Sequence, residues 1–178
     1  MHATFLLFGR VGKDTADHFR EEYIRALDND LTDATVVINS GGGEVNAGIG
    51  IFNILSGSGL NITTVIYGET GSIAATIFLA GQKRISMPDS TFTLHAASYT
   101  SGARLGQIAD STSLISSPFR RILGWNDAQL ARFFSSSTEA MLLPDEALSL
   151  GMITEVAQYR IGLNKPVIDL VTTNPTTK

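Results

Sequence analysis

Three short stretches carry residues suited to chemistry. Gly68-Glu69-Thr70-Gly71-Ser72 follows a β-branched apolar run and leads into the small-residue segment Gly71–Gly81. A serine on such a strand-to-helix turn exposes its Oγ beside helix N–H groups that stabilise developing negative charge. The same placement also suits a plain helix N-cap, the commoner use of serine there. The stretch is not the GxSxG elbow, because Ala74 stands two residues after Ser72. Ser40-Gly41-Gly42-Gly43 lies between another apolar run and an amphipathic segment. Glycines there let backbone N–H groups approach an anion or oxyanion, although a single one often serves only a turn of positive φ. No Lys-Ser/Thr follows and the spacing is not GxGxxG, so neither nucleotide motif applies. His95 closes the run Thr91–His95. A lone histidine on a strand is more often a core residue than a base. A nucleophilic serine nevertheless needs a base, and His2 (terminal) and His18 (on a polar helix face) are poor candidates.

These residues need elements to hold them. Phe5–Phe8, Ala34–Asn39 and Ile62–Tyr67 read as strands, the second buried on both faces. A helix capped by Asp14 carries Phe19, Tyr23 and Leu27, and a second from Glu44 carries Val45, Ile49, Phe52 and Leu55. Gly71–Gly81 is a third helix, and Arg84–Met87 and Thr91–Ala96 are short strands. Strand and helix alternate, which predicts an α/β fold with parallel strands, and ligands then bind at strand C-termini. Ser98–Gly102 reads as a loop and Ala103–Gly124 as a helix that Pro118 should break near Ser117. Asn126 caps a helix to Phe134, Pro144–Leu150 is a short helix stopped by Gly151, and Met152–Val156 is a last strand. The signal fades after Gln158, and Thr172–Lys178 reads as a frayed tail.

The chain has 178 residues, enough for one domain with a real core, and 43% are hydrophobic against 17% charged. That balance excludes a disordered or fibrous chain. A net charge of −4 with scattered basic residues gives no footprint for nucleic acid. No stretch is long enough to span a bilayer and the N-terminal apolar run lacks a basic lead, so the expectation is a soluble, cytoplasmic protein. With no cysteine, a disulfide framework and a thiolate zinc site are impossible.

Four ordered segments resemble the Clp protease proteolytic subunit, ClpP, within the ClpP/crotonase superfamily. Ile38-Asn39-Ser40-Gly41-Gly42-Gly43-Glu44-Val45 is similar to INSPGGxV, with Gly41 in place of proline. Gly68–Ser72 looks like GxAAS, and Met87-Pro88-Asp89-Ser90 followed by His95 keeps the LPNSxxxxH spacing. Pro144-Asp145-Glu146-Ala147 with Gly151-Met152-Ile153 resembles PxEAxxxGLI, which crotonases share. The likeness runs from about Phe5 to Val156. It implies a ClpP/crotonase-like fold of repeated ββα units around a mostly parallel sheet. A helical segment would separate the histidine from the third triad position.

By the same resemblance, the chain is a serine peptidase with Ser72 as nucleophile and His95 as base. The oxyanion would lie between the backbone N–H groups of Gly43 and Ile73. Counting back from Pro144 sets Glu139 where the family has aspartate, with Asp145 as second candidate; a solvated helix cap is an equal reading of Glu139. No metal or other cofactor is implied, and the substrate is a peptide or unfolded protein paired along the stretch after Gly43. The family's heptameric rings imply a homo-oligomer. A start almost at the first strand argues against an ATPase unfoldase partner, and the segment from His95 to Glu139 is shorter than the one interlocking ClpP rings. Two rivals stand beside this reading. One is a crotonase-type acyl-CoA enzyme, in which Ser72 would be idle; the other is a silent ClpP-like assembly subunit.

Overall fold

The computed structural model describes residues 1–162 and 166–171. Strands β1 (His2–Phe8), β2 (Asp33–Ser40) and β3 (Asn61–Gly71) pair in parallel as the centre of an eight-stranded sheet. Their side chains alternate between two cores, as a period of two requires. Ala3, Phe5 and Leu7 of β1, with Val36 and Ile38 of β2, face the larger one. Leu6, Phe8, Val37 and Val65 face a smaller one, where Ala157, Tyr159 and Ile161 pack over them.

The sheet forks along β3. Its first half, Thr63–Ile66, pairs with β4 (Lys83–Ser86), while its second half, Glu69–Gly71, pairs with β5 (Thr91–Leu94). Each branch gains one more strand: β6 (Ala140–Leu142) antiparallel to β5, and β7 (Glu155–Val156) parallel to β4. β8 (Val167–Asp169) completes the far edge beside β1.

Helices α1 (Lys13–Leu27), α2 (Val45–Gly57) and α3 (Ile73–Phe78) follow β1, β2 and β3. All six residues of α3 are buried. α2 crosses it so closely that a Cβ on Gly48 would lie 2.3 Å from Ile73 Cγ1. Thr64 Oγ1 donates to the Phe78 carbonyl at 2.8 Å, tying the end of α3 back to β3.

Several expectations need correction. α1 is capped by Gly12, with Asp14 inside its first turn, where a carboxylate still favours the helix dipole. Residues Ala103–Ser111 are not helical: Tyr99 N–H donates to Gln107 O at 3.0 Å and Ala109 N–H to Ala97 O at 2.8 Å, folding the segment into a hairpin-like turn. Helix α4 begins only at Thr112 and runs to Leu123, straight through Pro118. An interior proline costs about 3 kcal/mol. Burial of Ile115, Pro118 and Phe119 and a 3.0 Å bond from Thr76 Oγ1 to the Ile115 carbonyl offset it. The strand expected over Met152–Val156 shrinks to Glu155–Val156, because Arg84 claims the preceding backbone. Its guanidinium donates to Met152 O (2.8 Å), Gly81 O (3.0 Å) and Gly151 O (3.1 Å), and burial lowers its pKa from the ordinary value. β6 and β8 were not expected, being three-residue edge strands with little local signal. α5 (Asp127–Phe134) does carry the Asn126 cap, as a full capping box with Gln129. α6 (Pro144–Ser149) likewise begins at its proline. The tail expected over Thr172–Lys178 lies outside the described residues.

Substituting Gly48→Ala forces α2 away from α3. We expect a loss of about 1–3 kcal/mol, typical of overpacking, read as a lower urea midpoint at unchanged slope. An unchanged midpoint would refute the contact.

Candidate active site

The site is built on a disturbance in the sheet. Ile38 pairs with Ile66, but Ser40 pairs with Thr70, so β3 carries extra residues between these two points. Asn39 fills the irregularity: its Oδ1 accepts the Glu69 N–H at 3.0 Å and sits 2.7 Å from the position a Gly68 Cβ would take. The Gly68–Gly71 stretch, expected as a turn, is thereby kept as strand and carried onward to Ser72.

Ser72 occupies the N-cap position of α3 with φ 52° and ψ −127°, one of two non-glycine residues with positive φ among those described. Its side chain makes no capping bond, so the N-cap reading of this serine fails. Instead its backbone N–H donates to Thr93 O at 2.7 Å, which locks the turn onto β5. The residue is 8% exposed. Backbone held in so sparsely populated a region stores about 1–3 kcal/mol and persists only where its surroundings impose it.

The glycine turn abuts Ser72. A Cβ on Gly42 (φ 98°) would lie 2.8 Å from Ser72 Cβ and from Gly71 O, and 3.3 Å from Ile73 N. A Cβ on Gly43 (φ 154°) would fall 2.0 Å from Val11 O. Val11 bridges this segment in parallel fashion, donating to Gly42 O at 2.9 Å and accepting from Glu44 N–H at 2.8 Å. In such a bridge the N–H and C=O of the intervening residue point to the opposite edge. Gly43 therefore turns its own N–H away from Val11 and leaves it free of backbone bonds among the described residues. The first residue of α3, Ile73, offers a second orphan N–H, as every helix start does.

His95 directly follows β5, two residues beyond the Thr93 that accepts from Ser72. It is half-buried. Phe92 and Leu94 point into the large core, so Thr93 and His95 share the other face. The antiparallel register Phe92↔Leu142, Thr93↔Met141, Leu94↔Ala140 ends there, and just beyond it the Ala96 N–H donates to Ser136 O at 2.8 Å, two residues out of that register. Glu139 directly precedes β6 as His95 directly follows β5, so both stand at the same end of the β5–β6 pair. Asp145 follows Leu142 past the other end of β5, beside Ser90 and Thr91. Four residues of strand, roughly 13 Å, separate that end from His95. No hydrogen bond joins Ser72 Oγ, His95 and Glu139 among the described residues. His95 Nδ1 instead meets the Ala96 carbonyl at 2.8 Å.

The fold thus brings Ser72, the glycine turn and Ile73 together, sets His95 two residues beyond the Thr93 carbonyl that accepts from Ser72, and leaves Asp145 at the other end of β5. Residues that sequence reasoning did not single out also shape the site. Asn39 and Val11 hold the backbone, Thr93 anchors the serine, and the Ala96 carbonyl meets the imidazole. Only Asn39 carried any prior signal, as part of the Ile38–Val45 motif. Among the described residues no group of three or more His, Asp or Glu side chains is arranged to hold a metal ion, and no helix is long and apolar enough to cross a membrane.

The chain is similar in sequence and fold to known proteins. The sequence model of the Clp protease family matches residues 2–160. The proteolytic subunit 3 of the chloroplast ATP-dependent Clp protease of Arabidopsis thaliana is 29% identical over 147 residues, 77% of this chain and 47% of that protein. Clp protease proteolytic subunit 1 of Rhodococcus jostii is 27% identical over 148 residues, 77% of this chain and 66% of the relative. The chain thus spans half to two thirds of the length of these relatives. Among solved structures, ClpP1 from Listeria monocytogenes superposes with a TM-score of 0.76 at 24% identity, covering 88% of this chain and 92% of that one. The ClpP catalytic domain from Plasmodium falciparum gives 0.73 at 24% identity, covering 89% and 87%.

The strain at Ser72 is measurable. Ser72→Gly, which tolerates the positive φ, should be more stable than Ser72→Ala by about 1 kcal/mol in urea unfolding. Equal midpoints would mean that the turn is unstrained.

Proposed function

The chain belongs to the Clp protease family, and on that premise we propose that it is a serine peptidase cutting peptides or unfolded segments through an acyl-enzyme. Ser72 Oγ attacks the scissile carbonyl while His95 Nε2 takes its proton. The imidazolium then protonates the leaving amine, and water, activated by His95, hydrolyses the acyl-enzyme. The Gly43 and Ile73 N–H groups receive the oxyanion, a contribution worth about 10²–10³ in rate per donor. Glu139, rather than Asp145, is the carboxylate that steadies the imidazolium. The free edge at Gly43 suits an extended peptide adding as a strand.

The observation that carries this reading is the conformation of Ser72. Its side chain does not cap α3, yet its backbone is held in a strained turn against a glycine loop with no room for a Cβ. A merely structural serine has no reason for either. A homo-oligomer is part of this reading, with exposed apolar side chains such as Leu105 (67%), Met141 (68%) and Leu143 (60%) available to a second subunit.

A fluorophosphonate probe tests the reading. Wild type should be labelled, and Ser72→Ala and His95→Ala should not. A folded wild-type protein that resists the probe would sink the proposal in favour of a silent assembly subunit. Gly42→Ala drives a methyl group into Ser72, so labelling should fall at least a hundredfold, the scale of a lost oxyanion donor. Undiminished labelling would show that the loop does not border the reacting centre.

A further inference from the structure

We propose that the backbone carbonyl of Ala96, and not a carboxylate, sets the tautomer and orientation of His95. This rests on the reading of His95 as general base. A carbonyl oxygen can only accept, so the 2.8 Å contact with His95 Nδ1 requires the proton to sit on Nδ1. Nε2 then carries the lone pair, the form needed to deprotonate a serine. In a Ser-His-Asp triad that assignment belongs to a buried carboxylate.

The carbonyl is built to hold its place. Ala96 is fully buried, its N–H donates to Ser136 O at 2.8 Å, and the next carbonyl, of Ala97, accepts from Ala109 N–H at 2.8 Å. These bonds clamp the His95–Ala97 backbone between the segment before β6 and the hairpin-like turn. The contact to His95 is therefore shielded from water on its carbonyl side.

Glu139 is in the opposite situation. It is exposed, follows the exposed polar run Ser135–Thr138, and has no hydrogen bond or ion pair among the described residues. An exposed carboxylate acts on the imidazolium through a screened field, an effect of modest size. Glu139 thus assists with charge, while Ala96 positions the ring.

The two roles separate experimentally. In Glu139→Ala, peptide turnover and the rate of fluorophosphonate labelling should stay within about tenfold of wild type, against the roughly 10⁴-fold loss when the aspartate of a serine-protease triad is replaced. Asp145→Ala should lose less still. Ring ¹⁵N NMR of His95, recorded where the imidazole is neutral, should show the Nδ1-protonated tautomer in both wild type and Glu139→Ala. A loss beyond tenfold, or a ring that shifts toward the Nε2-protonated tautomer in the variant, overturns the proposal. If wild type resists the probe, the peptidase reading fails, while the ring tautomer still decides what Ala96 does.

Discussion

No side chain fits at Gly42 or Gly43. With Val11 O 2.0 Å from one would-be Cβ and Ser72 Cβ 2.8 Å from the other, the loop leaving β2 is backbone packed on backbone. This close approach fixes the geometry of everything around it. It presses the β2–α2 turn against the start of α3, holds Val11 in a bridge, and directs the Gly43 N–H toward the open edge. The buried α3 cannot retreat, because α2 meets it at Gly48 with equally little clearance. Ser72 is caught between these surfaces, and its positive φ is the consequence.

The forked sheet divides the labour of the fold. The β4–β7 branch is scaffold: Arg84 ties Met152, Gly151 and Gly81 together, and Trp125 Nε1 donates to Leu150 O at 3.0 Å nearby. The Pro144–Ile153 stretch is thus tied into this scaffold through the backbone carbonyls of Leu150, Gly151 and Met152. The β5–β6 branch carries His95 and Glu139. Both branches spring from one strand, and the irregularity that Asn39 staples is where β3 passes from the first to the second.

Much of this was legible in the residues. The central strands, α1, α2, α5 and α6 announced themselves through periodicity and caps, because each buries a continuous apolar face or carries its own stop signal. Other elements were not legible. α4 survives Pro118 because the burial of Ile115, Pro118 and Phe119 outweighs a local preference, and β6 and β8 exist only through the strands that receive them. A three-residue edge strand has no periodicity to read.

The site divides in the same way. Sequence by itself determined which residues are available: a serine before a helix, glycines after a strand, a histidine closing another strand, and a glutamate shortly before Pro144. Those identities are local chemistry, fixed by side-chain type and order. Tertiary structure decided where each one is held, since the decisive quantities are contacts between segments distant in the chain. The Thr93 carbonyl takes the Ser72 N–H, so the serine turns instead of capping. The β5–β6 pairing sets Glu139 and His95 at one end and Asp145 at the other, and the Ala96 carbonyl meets the His95 ring. Pairing register and burial arise only when remote strands meet, and no spacing along one strand encodes them.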